Sequence, residues 1–122
     1  MTSAVSKSFD APDEVRTPDK TRMEVFDLGG AKAARLTVQP GWKWSDCIKP
    51  VVGGESCQTL HIGTAVAGHL HVRHDDGTEI DVVPGGVYRI DPGHDAWVVG
   101  DEPFTAYEFD SSAAENYARP PS

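Results

Sequence analysis

The sequence predicts an all-β fold, a sandwich or barrel with a strand count that fits a double-sheet jelly roll, on three observations. Apolar residues come in short runs, Gly and Pro interrupt those runs at close intervals, and apolar residues at helical spacing never persist over several turns. Twelve glycines and nine prolines in 122 residues supply the punctuation. Gly tolerates positive φ and Pro pre-sets φ at about −65°, so such residues fix where a chain reverses. Many short strands joined by tight turns pack as a sandwich or a barrel.

In chain order, residues 1–20 are rich in Ser, Asp, Pro and Lys without sustained periodicity and read as a loosely held arm. Residues 21–110 form the barrel domain. Its strands are expected over 23–27, ended by Gly29-Gly30, and over 33–38, ended by Pro40-Gly41. A third is expected over 42–48, bounded by Pro50 and followed by a loop over 51–56. Residues 57–67 and 69–73 come next, parted by Gly68 and closed by Asp75-Asp76-Gly77, a strong hairpin signal. Segments 79–83, 87–90, 96–99 and 104–109 complete the set. The tail, 111–122, reads like the arm, with Tyr117 able to dock on the body.

A net charge of −8 argues against nucleic acid or an anionic membrane as partner, since both call for clustered Lys and Arg. No apolar stretch approaches the roughly 20 residues of a membrane span, and the first ten residues lack the apolar core of a signal peptide. The expected location is the cytoplasm, where Cys47 and Cys57 remain thiols unless they face one another as a disulfide. No nucleophile elbow, phosphate loop or carboxylate pair is present.

Residues 84–97 are the most informative stretch. Pro84-Gly85-Gly86 leads into a short alternating run, Asp91-Pro92-Gly93 reverses it, and His94 opens the next run. This segment resembles the second motif of the cupins, small β-barrel proteins that often hold a metal inside the barrel. The resemblance covers about residues 33–109 and implies a cupin-type jelly-roll barrel, commonly a homodimer. In the first motif Gly41 is the opening Gly, and the two His positions fall on Cys47 and Lys49. Gly68 best closes that motif, which puts His61 where the family has Glu. A second register puts Glu55 there, closed by Gly63. In the second motif the expected His position is Ala96. His94, two residues earlier, shares its face about 6–7 Å away along the strand.

By strand parity, Cys57 and His61 share a face. If residues 42–48 and 57–67 pair as a hairpin, Cys47 and His61 both look inward. Cys47, His61 and His94 are then the candidate metal ligands, with Cys57 as a fourth. Thiolate and imidazole suit a divalent transition metal, zinc before Fe, Ni, Cu or Mn. Lys49 and Glu55 are the candidate proton-transfer groups, though they could simply pair with each other. His69, His71 and His74 are taken as solvent-facing, opposite Leu70 and Val72. Trp42 and Trp44 are assigned to a subunit interface or to packing under the arm, and Trp97 to the face opposite His94. The expected function is a metal-binding cupin acting on a small organic molecule by oxygenase, isomerase or lyase chemistry. The alternative is a non-catalytic binding or sensing module that has lost the metal.

Overall fold

A computed structural model describes residues 3–109 and Tyr117. Among the described residues nine strands form two antiparallel sheets, as the punctuated sequence requires. The larger sheet has six strands in the order β1-β2-β3-β9-β4-β7: β1 is Glu14–Arg16, β2 Thr21–Asp27, β3 Lys32–Val38, β9 Phe104–Phe109, β4 His61–Ala67 and β7 Tyr88–Ile90. The smaller has the order β6-β5-β8, with β6 Glu79–Val82, β5 Leu70–His74 and β8 His94–Val98. Inward parity is regular on β3, β8 and β9, whereas β2 buries four consecutive residues, Met23, Glu24, Val25 and Phe26. Leu36 and Val38 of β3, Phe104 and Ala106 of β9, and Leu70 and Val72 of β5 are buried between the sheets. Among the described residues, no helix is long and apolar enough to cross a membrane.

The expected third strand is a correction. Residues 44–52 form two short helices, α1 (Trp44–Cys47) and α2 (Lys49–Val52). Trp44, Cys47 and Ile48 stand at i, i+3 and i+4, so one helical turn buries all three. Pro50 sits in the first turn of α2, where its missing N–H costs nothing. A single turn is too short for its periodicity to stand out from strand alternation. Trp42 and Trp44 consequently lie in the core, 3% and 1% exposed, and not under the arm or at a subunit surface.

The arm is also more ordered than its composition implies. β1 pairs with β2 through Glu14↔Val25 and Arg16↔Met23. Phe9 lies on the outer face of the large sheet, stacked on Tyr107 at 5.2 Å and edge-on to Phe26 at 5.3 Å. The Arg35 guanidinium caps the Phe9 ring at 4.4 Å, held there by hydrogen bonds to Glu24 of 2.8 and 3.0 Å. Phe9 is still half exposed, so Phe9→Ala is expected to cost about 1 kcal/mol in urea denaturation. An unchanged midpoint would show that the arm contributes nothing to stability. The expected tail lies outside the described residues except for Tyr117, which is buried against the body.

Candidate metal centre

One turn and one strand start bring the site together. The Asp91-Pro92-Gly93 turn, with Gly93 at φ +101°, delivers His94 opposite Cys57. Their backbones form an antiparallel bridge, Cys57 N–H donating to the His94 carbonyl at 2.7 Å. Residues directly opposite in an antiparallel pair carry their side chains on the same face. Four residues beyond Cys57, His61 opens β4, paired with Ile90 of β7. Cys57 Sγ and one ring nitrogen each of His61 and His94 all lie within 4.8 Å of one another, and all three residues are buried.

A row of cross-strand partners holds the second layer. Ala34, Glu108, Gly63 and Tyr88 stand side by side on β3, β9, β4 and β7. The small residues at 34 and 63 leave room for the Glu108 carboxylate between them. A Cβ at Gly63 would sit 3.0 Å from both Glu108 Cγ and the Tyr88 hydroxyl, and 2.2 Å from the Tyr107 carbonyl oxygen. Only glycine fits there. Glu108 accepts hydrogen bonds from His61 Nδ1 at 2.7 and 3.0 Å and from the Tyr88 hydroxyl at 2.7 Å.

Those contacts set the tautomers. A carboxylate and a carbonyl only accept, so His61 Nδ1 carries hydrogen toward Glu108, and His94 Nδ1 carries hydrogen toward the Asp91 carbonyl at 2.9 Å. In each ring Nε2 is left for the centre. This is the second-layer arrangement of metal-bound histidines. The Cys57 Sγ to His61 Nε2 distance is 4.0 Å. The three donor atoms, within 4.8 Å of one another, could share one ion after inward movement of the side chains. Donor types, spacing and orientation all fit a transition metal.

Without metal the same groups form an ion pair. Burial pushes the Cys57 thiol up, but hydrogen bonds and charge from His61 and His94 outweigh it and bring the thiol down to about 6. Burial likewise disfavours charged His61, yet Glu108 and the Cys57 sulfur raise it to about 10. Burial and then the charge of Glu108 hold the Tyr88 phenol well above its ordinary value.

The structure brings together Cys57, His61 and His94 but not Cys47. Cys47 lies on α1, its Sγ 3.7 Å from Asp19 Oδ2, and burial raises its thiol. The parity argument that turned it inward depended on a strand that is a helix, and β4 pairs with β7 and β9 instead. Both cysteines are free thiols. Lys49 and Glu55 form an outward ion pair of 3.7 Å, with the Glu55 side chain 99% exposed. His69 and His71 face outward and bond to Asp81, His71 also to Glu79. His74 shares the parity of Leu70 and Val72 but is as exposed as His71, and it bonds to the Pro92 carbonyl.

An outer cleft of about 360 Å³ is walled by Trp44, Ile48, Val52, Cys57 and Tyr117. Behind it, a chamber of about 20 Å³ reaches His61, His94, Tyr88 and Glu108. Sequence reasoning passed over Glu108 and Tyr88. The signal for Glu108 was its parity with Phe104 and Ala106, an acid at an inward position.

No protein-family model matches the chain, and no curated protein matches it significantly. Solved structures do. A Rhizobium leguminosarum protein of unknown function superposes with a TM-score of 0.60 at 15% identity, over 88% of this chain and 97% of that one. An RmlC-like cupin from Shewanella frigidimarina gives 0.58 at 14%, over 88% and 90%. An oxalate oxidase gives 0.55 at 20%, over 88% of this chain and 59% of that one. The chain therefore has the cupin fold, a small jelly-roll barrel with a Cys/His/His cluster inside it.

Proposed function

We propose that the protein is a metal-dependent cupin in which Cys57, His61 and His94 hold one divalent transition metal, zinc by donor softness. The observation that carries this reading is the pair of oriented imidazoles, each fixed through Nδ1 with Nε2 left for the shared centre. Bound there, the metal would supply a Lewis acid. Glu108 keeps His61 in the binding tautomer, and Tyr88 fixes the second carboxylate oxygen. The substrate is a small organic molecule entering by the outer cleft.

Elemental analysis of protein purified without added metal is expected to show about one transition metal per chain. Cys57→Ser, His61→Ala and His94→Ala should each lose it, while Cys47→Ser keeps it. Loss in Cys47→Ser with retention in Cys57→Ser would sink the assignment. A second reading, a metal-free binding module, is favoured by one observation: Cys57 Sγ lies 4.0 Å from His61 Nε2, so the two buried groups can satisfy each other without a metal. An intact fold with no metal under any loading condition would select it. A cytoplasmic homodimer accompanies either reading, and the exposed Ile80, Val83 and Val87 offer an apolar surface for pairing. Sedimentation of a monomer at micromolar concentration would remove the dimer.

A further inference from the structure

Trp44 and Tyr117 coincide in two independent respects. They are the residues common to the walls of the outer cleft and of the inner chamber. They also carry the two buried side-chain polar atoms, Trp44 Nε1 and Tyr117 Oη, that have no hydrogen-bond partner among the described residues. The fold is able to satisfy an indole, since Trp42 Nε1 donates to Thr21 Oγ1 at 2.9 Å. Buried polar groups without partners are rare and costly, and here both fall at one partition. The Tyr117 ring stands edge-to-face with the His61 ring at 5.4 Å. Its backbone carbonyl accepts from Arg16 Nη1 at 2.7 Å, which ties the backbone at Tyr117 to β1.

We propose that Tyr117 is a displaceable plug between cleft and chamber, and that the ligand replacing it is a small planar apolar molecule bearing an acceptor oxygen. Swinging the tyrosine out returns its hydroxyl to water. A planar apolar group in its place restores the packing against His61. An indole N–H only donates, so an incoming carboxylate or carbonyl oxygen satisfies Trp44, whereas an amine or a bare ring leaves it unpaired. The closed arrangement is thereby held a little above its best energy, which makes exchange for the right ligand favourable. This inference deepens the proposed function by naming the ligand class of the same chamber, and it rests on that reading only for the location of the reacting end.

The test uses benzoate as probe on protein labelled with ¹⁵N. Each of the three tryptophans gives one indole N–H resonance, and Trp44→Phe identifies that of Trp44. Benzoate is expected to shift the Trp44 resonance downfield, and toluene, the same ring without oxygen, to leave it in place. Benzamide separates a carbonyl from a carboxylate requirement. Tyr117→Ala removes the competitor and should tighten benzoate binding about tenfold, while Trp44→Phe should weaken it about tenfold. Tyr117→Phe covers the case in which Tyr117→Ala fails to fold. Deleting only the orphan hydroxyl improves the plug, so this variant should be more stable than wild type and bind benzoate more weakly. All titrations are run with zinc-loaded and chelator-treated protein. A Trp44 shift in protein that never takes up zinc sinks the metal and keeps the plug. Zinc uptake with no Trp44 shift, or a destabilised Tyr117→Phe that binds benzoate as before, overturns the plug and keeps the metal.

Discussion

Glu108→Ala is expected to destabilise the protein by about 3–5 kcal/mol in urea denaturation, the scale for deleting one partner of a buried charge pair. Glu108 is 2% exposed and accepts from His61 Nδ1 and the Tyr88 hydroxyl. Its removal strands an imidazolium and a phenol in the barrel. Glu108→Gln keeps the shape and one acceptor oxygen but loses the charge, so about 1–3 kcal/mol is expected. Metal affinity of that variant should fall about 10–100-fold, the usual consequence of losing a carboxylate that orients a ligating histidine. Competition against a chromophoric chelator reads this directly. Wild-type affinity in a folded Glu108→Gln would show that His61 does not depend on Glu108 to bind.

The strands were largely legible because their ends are chemical. Segment 104–109 coincides with β9, and segments 33–38 and 87–90 start within one residue of β3 and β7, each bounded by Gly or Pro. What failed was short or tertiary. Three residues of β1 carry no periodicity of their own and form only because β2 offers an edge. One turn of α1 reads as alternation as easily as it reads as helix. The choice between Cys47 and Cys57 could not be made from parity, because it turns on the Cys57–His94 bridge, a contact between residues 37 positions apart that no local rule specifies. His94 was reachable because the Asp91-Pro92-Gly93 turn fixes it, and His61 because it shares the strand parity of Cys57. Glu108 was readable in principle: Phe104 and Ala106 announce the inward face of β9, and the next residue of that parity is an acid. A buried acid implies a partner, and following that inference would have led to His61.

Zinc affinity is expected to keep rising with pH up to about pH 10, a consequence of the ion pair that the metal must break. His61 binds metal as the neutral ring, but in the metal-free barrel its value is raised to about 10. Cys57 binds as thiolate and is already ionised above about 6. Between those values one proton leaves on binding, from His61, so affinity should rise about tenfold per pH unit. Below about 6 the thiol must also ionise and the slope steepens. Unperturbed groups, with values of about 6.5 and 8.5, would instead give a flat profile above about pH 8.5. The interval from 8.5 to 10 therefore discriminates. Calorimetry at pH 9 in two buffers of different ionisation enthalpy counts the proton released, and a count of zero would show that the pair does not exist. The stability of the metal-free fold follows the same signs. The raised His61 value contributes most below its ordinary range and is lost as pH climbs through about 10, whereas the lowered Cys57 value contributes most above the ordinary thiol range and is lost as pH falls through about 6. Glu108→Gln removes the charge that raises His61, so in that variant the rise in zinc affinity should level off at lower pH. If the levelling point does not move, the elevation of His61 comes from Cys57 alone.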